Sequence, residues 1–341
     1  MKSRLGRGAI VLFFFTAARA VACTLSQGDI LLTDVGRPGI VAITSGGQPC
    51  LVSAGGYLVL PTGIAVDAAG QLFVADSDAF DRHGGIIRID PTTGAQFPAS
   101  RDGYFFDPQS LVIGSNGVMF VADPNAFGGD PAGGVIAVNP ATGAQAVVSA
   151  AGNSTRPVGI ALAGKRFPST VFVTDRENLL VVAVNTQSGA QRVVSSGGLF
   201  ANPIGIAMTT SGDIFVADAD AFPTYDGGII RVDPRTGRQT VVSSGGAFIS
   251  PVSVAIGADG NLLVVDYFGL VVVNPRTGRQ TFAAWDVLGG AVGLFHPWGI
   301  AVVPGKRVPG RVPPGRGALS DPQAELSCLR LTRAPAPPAS S

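Results

Sequence analysis

The sequence predicts an all-β chain folded as a six-bladed β-propeller, its last blade closed by three N-terminal strands plus one C-terminal strand. The first observation behind this is a repeat. The segment "PTGIAVDAAGQLFVADSDAF" begins at Pro61 and has counterparts at Pro108, Pro157, Pro203, Pro251 and Pro297, spaced 47, 49, 46, 48 and 46 residues apart. Such a period is the mark of stacked or ring-arranged units. Second, each copy holds four short runs rich in Val, Ile and Phe, separated by Gly- and Pro-bearing turns, as pleated strands require. Third, the two ends are complementary fractions of a copy. The copy at Pro297 keeps only its first strand, and the N-terminal segment lacks that strand but holds the other three. Joined, they complete one blade and hide the free strand edges of an open ring. Composition agrees: 46% apolar and 14% charged residues exclude a disordered chain, and 47 glycines with 25 prolines suit strands and tight turns.

In chain order, Lys2, Arg4 and Arg7 precede the apolar run Gly8–Ala18, which is too short to span a bilayer. Ala20-Val21-Ala22 then fits a cleavage site before Cys23. Residues 1–22 thus read as a signal peptide, and the expected location is secreted, periplasmic or cell-envelope. A cysteine directly after the cleavage site is also where bacterial lipoproteins carry their lipid, so a lipid anchor at Cys23 is an alternative, although Ala20 stands where that signal usually has Leu. Losing the four basic residues of the leader takes the formal charge from +1 to −3; the tail from Lys306 onward carries +4, which leaves −7 on residues 23–305. An acidic body argues against nucleic acid as a partner, because phosphate binding needs a basic face.

The three N-terminal strands are read at Gly28–Asp34, Gly39–Gln48 and Pro49–Ser53. In the first full copy they are followed by Gly63–Val66, a Gly turn, "LFVAD", an acidic loop and Gly85–Asp90. A compact turn comes next ("PTTGAQ", "PATGAQ", "TQSGAQ", "PRTGRQ" twice), whose fixed Gly suits a positive φ. A variable fourth strand closes each copy. Residues 306–341 are Pro-, Arg- and Ala-rich and read as a largely disordered tail with one apolar island, Ala324–Leu331. Three cysteines allow one disulfide in an exported protein. Cys50–Cys328, pinning the tail to the outermost strand of the latch blade, is the first candidate, and Cys23–Cys50 competes with it. No CxxC or Cys/His cluster supports a structural zinc site.

Strand order places the loop after each second strand on the face where the first strands begin, around the channel mouth. Asp34, Asp76, Asp123, Asp175, Asp218 and Asp266 recur once per blade, and an Asp at a strand end accepts N–H bonds from the following turn. These six are fold corners. Asp78, Asp81, Asp130, Asp220 and Asp226 occur only in copies one, two and four. Spaced as Asp-x-Asp before glycines, they are candidate oxygen ligands for Ca²⁺ or another divalent metal. The competing reading is a solvated acidic rim, with Phe80, Phe127 and Phe222 tucking each loop against its blade. The two histidines, His83 and His296, fall on neighbouring blades of a closed ring; beside Asp81 they are candidates for acid/base chemistry or metal binding. Trp298 stands where other copies have Thr, Gln, Val or Ile, and is a candidate to stack on a sugar or peptide.

The pattern Pro-x-Gly-hydrophobic-Ala, a Gly turn and a strand ending in Val-Ala-Asp resembles the NHL-repeat family of six-bladed propellers, over about residues 28–305. The chain is also distantly similar to the streptogramin lyase and peptide-amidating lyase propellers, which use histidines on this face. The resemblance implies the fold; the family includes lyases, lactonase-like relatives and pure binding modules. The amidating lyase holds zinc with three histidines, and this chain has two. The lactonase-like relatives hold calcium with Glu, Asn and Asp deep in the channel, where the first strands here offer Gly, Ala and Ser. Only "TDRENLLVV" of the third copy stays near the family's usual turn. The functional expectation is an exported module that binds or scaffolds a protein, peptide or glycan ligand through its acidic loop face, leaning away from an enzyme. The alternative is a metal-dependent, lyase-like enzyme using His83 and His296.

Overall fold

The structure, a computed structural model, describes residues 23–47, 49–128, 133–222, 226–267, 269–284 and 294–305. The described residues form twenty-four strands in six four-stranded antiparallel sheets. The first full blade runs β4 (Pro61–Val66), β5 (Leu72–Asp76), β6 (Gly85–Ile89), β7 (Gln96–Arg101), and the next four follow in the same order. The closing blade has the order β24-β1-β2-β3, with β24 (Pro297–Val302) innermost beside β1 (Ile30–Asp34), β2 (Gly39–Ile43) and β3 (Pro49–Ala54). The innermost strands β4, β8 (Ser110–Ile113), β12 (Pro157–Leu162), β16 (Pro203–Met208), β20 (Ser253–Ile256) and β24 contact one another in a closed cycle. The six-bladed propeller with an N- and C-terminal latch is therefore the observed fold.

The core lies in the seams between blades. Leu31, Ile40, Leu72 and Ile87 pack between the closing blade and blade one; Phe73, Ile86, Met119 and Ile136 pack between blades one and two. A second strand such as "LFVAD" is buried on both faces, because a neighbouring blade covers each side. That is why these strands read as continuous apolar runs rather than alternating ones. The fourth strands are largely exposed, as in β19 (Gln239–Ser244), whose one buried residue is Ser243. Every third-to-fourth pairing carries a register shift, for example between Ile229 and Ile230, and such bulges add twist to the outer strand.

One side-chain device recurs at five seams. Gln239, the first residue of β19, donates from Nε2 to Ser195 Oγ (2.9 Å) and to the Gly197 carbonyl (2.9 Å) of the preceding blade, while its Oε1 accepts from Leu199 N (2.6 Å). Gln96, Gln145, Gln191 and Gln280 do the same to Ser53, Ser100, Ser149 and Ser243. The serine in turn donates to the turn glycine, as Ser195 Oγ does to the Gly237 carbonyl at 2.8 Å. Gly237 has φ +72°, and an added Cβ would lie 2.3 Å from the Val194 carbonyl oxygen, so the turn needs glycine for conformation and for close approach.

The disulfide corrects the first sequence expectation. Cys50 bonds to Cys23, not to Cys328, which lies outside the described residues. The Cα atoms of Cys23 and Cys50 stand 5.8 Å apart, within disulfide reach, and Cys23 is buried against Leu31, Ile40 and Val52 in the seam beside the latch blade. No described helix is long and apolar enough to cross a membrane.

Candidate functional site

The site is the loop face, and its geometry starts at the corner aspartates. Strand register brings Asp76 opposite Pro61 on one side and Gly85 on the other, and Asp218 likewise opposite Pro203 and Gly228. First-strand starts, corner aspartates and loop exits therefore share one edge of every blade. Asp76 accepts from the N–H groups of Val59 (2.8 Å), Leu60 (3.0 Å), Asp78 (3.1 Å) and Ala79 (2.9 Å). Asp34 does the same for Gly36, Arg37, Phe295 and His296. Each corner thus holds the loop that follows it and also the segment that leads into the first strand of its own blade. Burial pushes the Asp76, Asp123 and Asp218 carboxyls above the ordinary carboxylate value, Asp123 to about 6.

The loops after the corners are built by the Ala-Phe and Gly-Gly pairs. Phe80, Phe127 and Phe222 all adopt positive φ (55°, 68° and 78°), a left-handed conformation rare for bulky residues. Each ring folds onto the second glycine of its loop: a Cβ on Gly85, Gly134 or Gly228 would lie 2.7, 2.9 or 2.6 Å from a ring carbon of Phe80, Phe127 or Phe222. Tyr57 packs on Phe80 and Tyr104 on Phe127, with centroids 5.3 and 5.4 Å apart. The recurrent loop is thus a packed corner.

The candidate metal ligands are dispersed. Asp81 is exposed, Asp78 and Asp226 are half-buried, and exposed Asp220 accepts from Asn202 Nδ2 at 2.8 Å. Asp130 lies outside the described residues. Among the described residues no three His, Cys, Asp or Glu side chains come together in a group that could hold a metal ion. The histidines are not joined either. His83 is exposed at the tip of the first loop, whereas the His296 ring bonds through Nε2 to the Tyr267 hydroxyl (2.8 Å), on the blade opposite in direction from His83. The face is also of mixed charge, since Arg37, Arg82, Arg156 and Arg176 stand among its acids.

Trp298 is half-buried at the channel mouth and lines two connected spaces. The central channel encloses about 340 Å³ between the six innermost strands, and no charged side chain lines it among the described residues. Above it, sharing Thr62, Gln109, Val158 and Trp298 with it, lies a mouth cavity of about 200 Å³ that adds Asp107 and Arg176. A polar chain runs from this cavity around the rim. Gln109 Nε2 donates to Asp107 Oδ1, Asn125 Nδ2 donates to Asp107 Oδ2 (3.0 Å), Arg156 Nη1 donates to Asn125 Oδ1 (3.1 Å), and Arg156 pairs with Glu177 (3.0 Å). Burial raises the Asp107 carboxyl, the Gln109 and Asn125 hydrogen bonds and the charge of Arg176 oppose this, and Asp78 adds to it.

These residues escaped the sequence reading. A signal for three of them exists: Asp107, Gln109 and Arg156 flank fixed prolines. The residue before the proline is Leu60, Asp107, Arg156, Asn202, Ser250 or His296, and the residue after it is Thr62, Gln109, Val158, Ile204, Val252 or Trp298. The proline repeats in all six blades, whereas the residue before it is different in each, and Leu60, Thr62, Asp107, Gln109, Val158 and Trp298 among these neighbours line the mouth cavity.

No family profile matches the chain. No curated protein matches it. Solved structures do. The chain is similar to a chain of the nidogen/laminin complex, with a TM-score of 0.63 and 14% identity over 81% of this chain and 98% of that one. It is similar to a gluconolactonase from Xanthomonas campestris (TM-score 0.56, 17% identity, 70% and 80% covered) and to virginiamycin B lyase from Staphylococcus aureus (0.56, 13%, 76% and 81%). At these identities the likeness shows the propeller fold, and that fold carries binding modules as well as enzymes.

Proposed function

We propose that this chain is an exported binding module whose loop face takes a protein, peptide or glycan ligand. The observation that carries the reading is an arc of exposed apolar side chains on that face. Tyr57 and Val59 lead into blade one, Tyr104 and Phe106 into blade two and Ile249 into blade five; Tyr267 and Phe295 complete the arc at blades five and six. Exposed apolar patches rimmed by polar groups mark interaction surfaces, and aromatic residues are enriched there. The arc is also pre-positioned: the backbone N–H groups of Val59, Phe106, Ile249 and Phe295 are all held by corner aspartates. Ordering a rigid surface costs less on association. The nidogen/laminin neighbour is a propeller found in complex with a protein, which supports a protein or peptide ligand.

Peptide and glycan arrays probed with the purified chain test this, alongside Tyr104→Ser and Phe106→Ser variants with unchanged circular dichroism. Hits that fall at least tenfold in both variants are expected. An absence of hits, or hits indifferent to both changes, would overturn the reading. Elemental analysis before and after a chelator addresses the lyase-like alternative: a stoichiometric divalent ion whose removal follows loss of His83 or His296 would favour that enzyme over a scaffold.

A further inference from the structure

The mouth cavity has a composition that the binding reading alone does not explain. A carboxylate and a guanidinium share a space of about 200 Å³ with apolar walls from Leu60, Val158 and Trp298. Asp107 is fixed in place, each carboxylate oxygen already accepting one bond, from Gln109 and from Asn125. Each oxygen retains capacity for another donor. Arg176 is exposed, and its guanidinium makes no hydrogen bond or ion pair among the described residues, although its charge acts on Asp107. Two opposite charges that feel each other without closing a contact leave room for a ligand carrying the complementary pair. The space around the two charges is below the roughly 300 Å³ at which sites for drug-sized ligands begin, so the charged part of the occupant is small.

Resting on the reading of the loop face as a ligand surface, we infer that this cavity binds a free α-amino acid with an apolar side chain. The ligand ammonium donates to Asp107, and its carboxylate accepts from Arg176, a planar fork suited to carboxylates. The side chain lies against Leu60, Val158 and Trp298. A neutral sugar can hydrogen-bond both groups through its hydroxyls but brings no counter-charge to either. A peptide end would satisfy only one of them, because a C-terminus lacks the ammonium and an N-terminus lacks the carboxylate.

Isothermal titration of the full chain with L-leucine and L-phenylalanine tests the inference, with leucinamide, 4-methylpentanoate and glucose as probes. Saturable binding of both amino acids is expected, weakened at least tenfold when either charged group is missing from the ligand. Arg176→Gln, on an exposed side chain that bears no part of the fold, is expected to weaken leucine tenfold or more and to leave the melting temperature unchanged. Asp107→Asn should weaken it similarly. No heat with either amino acid at millimolar concentration, equal binding of leucinamide, equal binding of glucose, or an Arg176→Gln variant that binds leucine as before would each overturn the inference. Array hits that still depend on Tyr104 and Phe106 would then leave the wider binding reading standing, whereas failure of both experiments would remove both.

Discussion

Asp123 shows how much one residue of the repeat is asked to do. It is fully buried and accepts N–H bonds from Phe106, Asp107 and Asn125. Burial lifts its carboxyl to about 6, above the ordinary 3.8, so the folded chain binds the proton more readily than the unfolded one. Its contribution to stability is therefore complete below pH about 4 and is lost as pH rises through 6. Asp123→Asn cannot titrate and offers one acceptor oxygen to three donors; an unsatisfied buried donor costs about 1–3 kcal/mol. We expect the variant to be less stable at pH 7, with a gap that widens on acidification to pH 4, read from denaturant midpoints along the pH series. A flat gap would show that Asp123 does not titrate in that window. Asp175 runs the other way. Burial raises it, but bonds from Arg156, Asn178 and Thr155 outweigh burial and hold it below its ordinary value. Its contribution is present at neutral pH and falls away as pH drops below about 4, so the gap for Asp175→Asn should narrow in acid. The sequence shows these aspartates as strand-end corners because they recur once per copy. It does not show the donors lying 16 or 17 residues earlier, such as Leu60 and Val59 for Asp76.

The elements are held to each other by hydrogen bonds that no single copy reveals. The "TGAQ" and "TGRQ" turns are plain in the sequence, but the serine each glutamine grips sits on the preceding blade, some forty residues earlier. Only the assembled ring makes them neighbours. Gln239→Ala removes three hydrogen bonds at a partly buried seam; at about 0.5–1.5 kcal/mol each, less what water restores, the loss is about 1–3 kcal/mol. Gln96→Ala acts on a distant seam, so the double variant should lose the sum of the two, measured by urea unfolding. Glycines offer a sharper contrast. Gly134→Ala drives a Cβ to 2.3 Å from the Ser149 carbonyl oxygen and 2.9 Å from the Phe127 ring, neither of which can yield without opening the loop. Gly117→Ala meets nothing within 4 Å and bears only the cost of its φ of +82°, about 1–2 kcal/mol. We expect thermal melting to separate the two clearly, with Gly134→Ala the more damaging. The Ala-Phe…Gly-Gly motif was legible as a tucked corner, and its aspartates also invited a metal reading, because spacing along the chain does not say which carboxylates converge in space.

At the scale of the molecule, a ring is only as closed as its latch, and here β24 pairs with β1 while a disulfide ties Cys23 to Cys50 on β3. The latch was legible from complementary ends. The cysteine pairing was not, since three cysteines allow three pairs and no spacing chooses among them. Nor was the meeting of Asp107 with Arg176, which the ring brings to one cavity from different blades. The bond spans 27 residues, and a loop of that size constrains the unfolded chain by about 3.5 kcal/mol. Cys23→Ser and Cys50→Ser should therefore lower the denaturant midpoint to the same extent, and reductant should bring the wild type to meet them. Cys328→Ser should do nothing. If Cys328→Ser destabilised the chain and Cys23→Ser did not, the tail pairing would be the real one. The same pair of sulfurs decides the membrane question, because a thiol in a disulfide is not available for a lipid thioether. Intact mass of the full-length chain recovered from a bacterial expression host, before and after reduction and alkylation, reads both fates at once. We expect a non-lipidated chain beginning at Cys23 that takes up alkylating groups at Cys23 and Cys50 only after reduction. A lipid-bearing mass would place Cys23 in the membrane, leave Cys50 without its partner, and require the latch blade to hold through β24 and the apolar seam of Leu31, Ile40 and Leu72 alone.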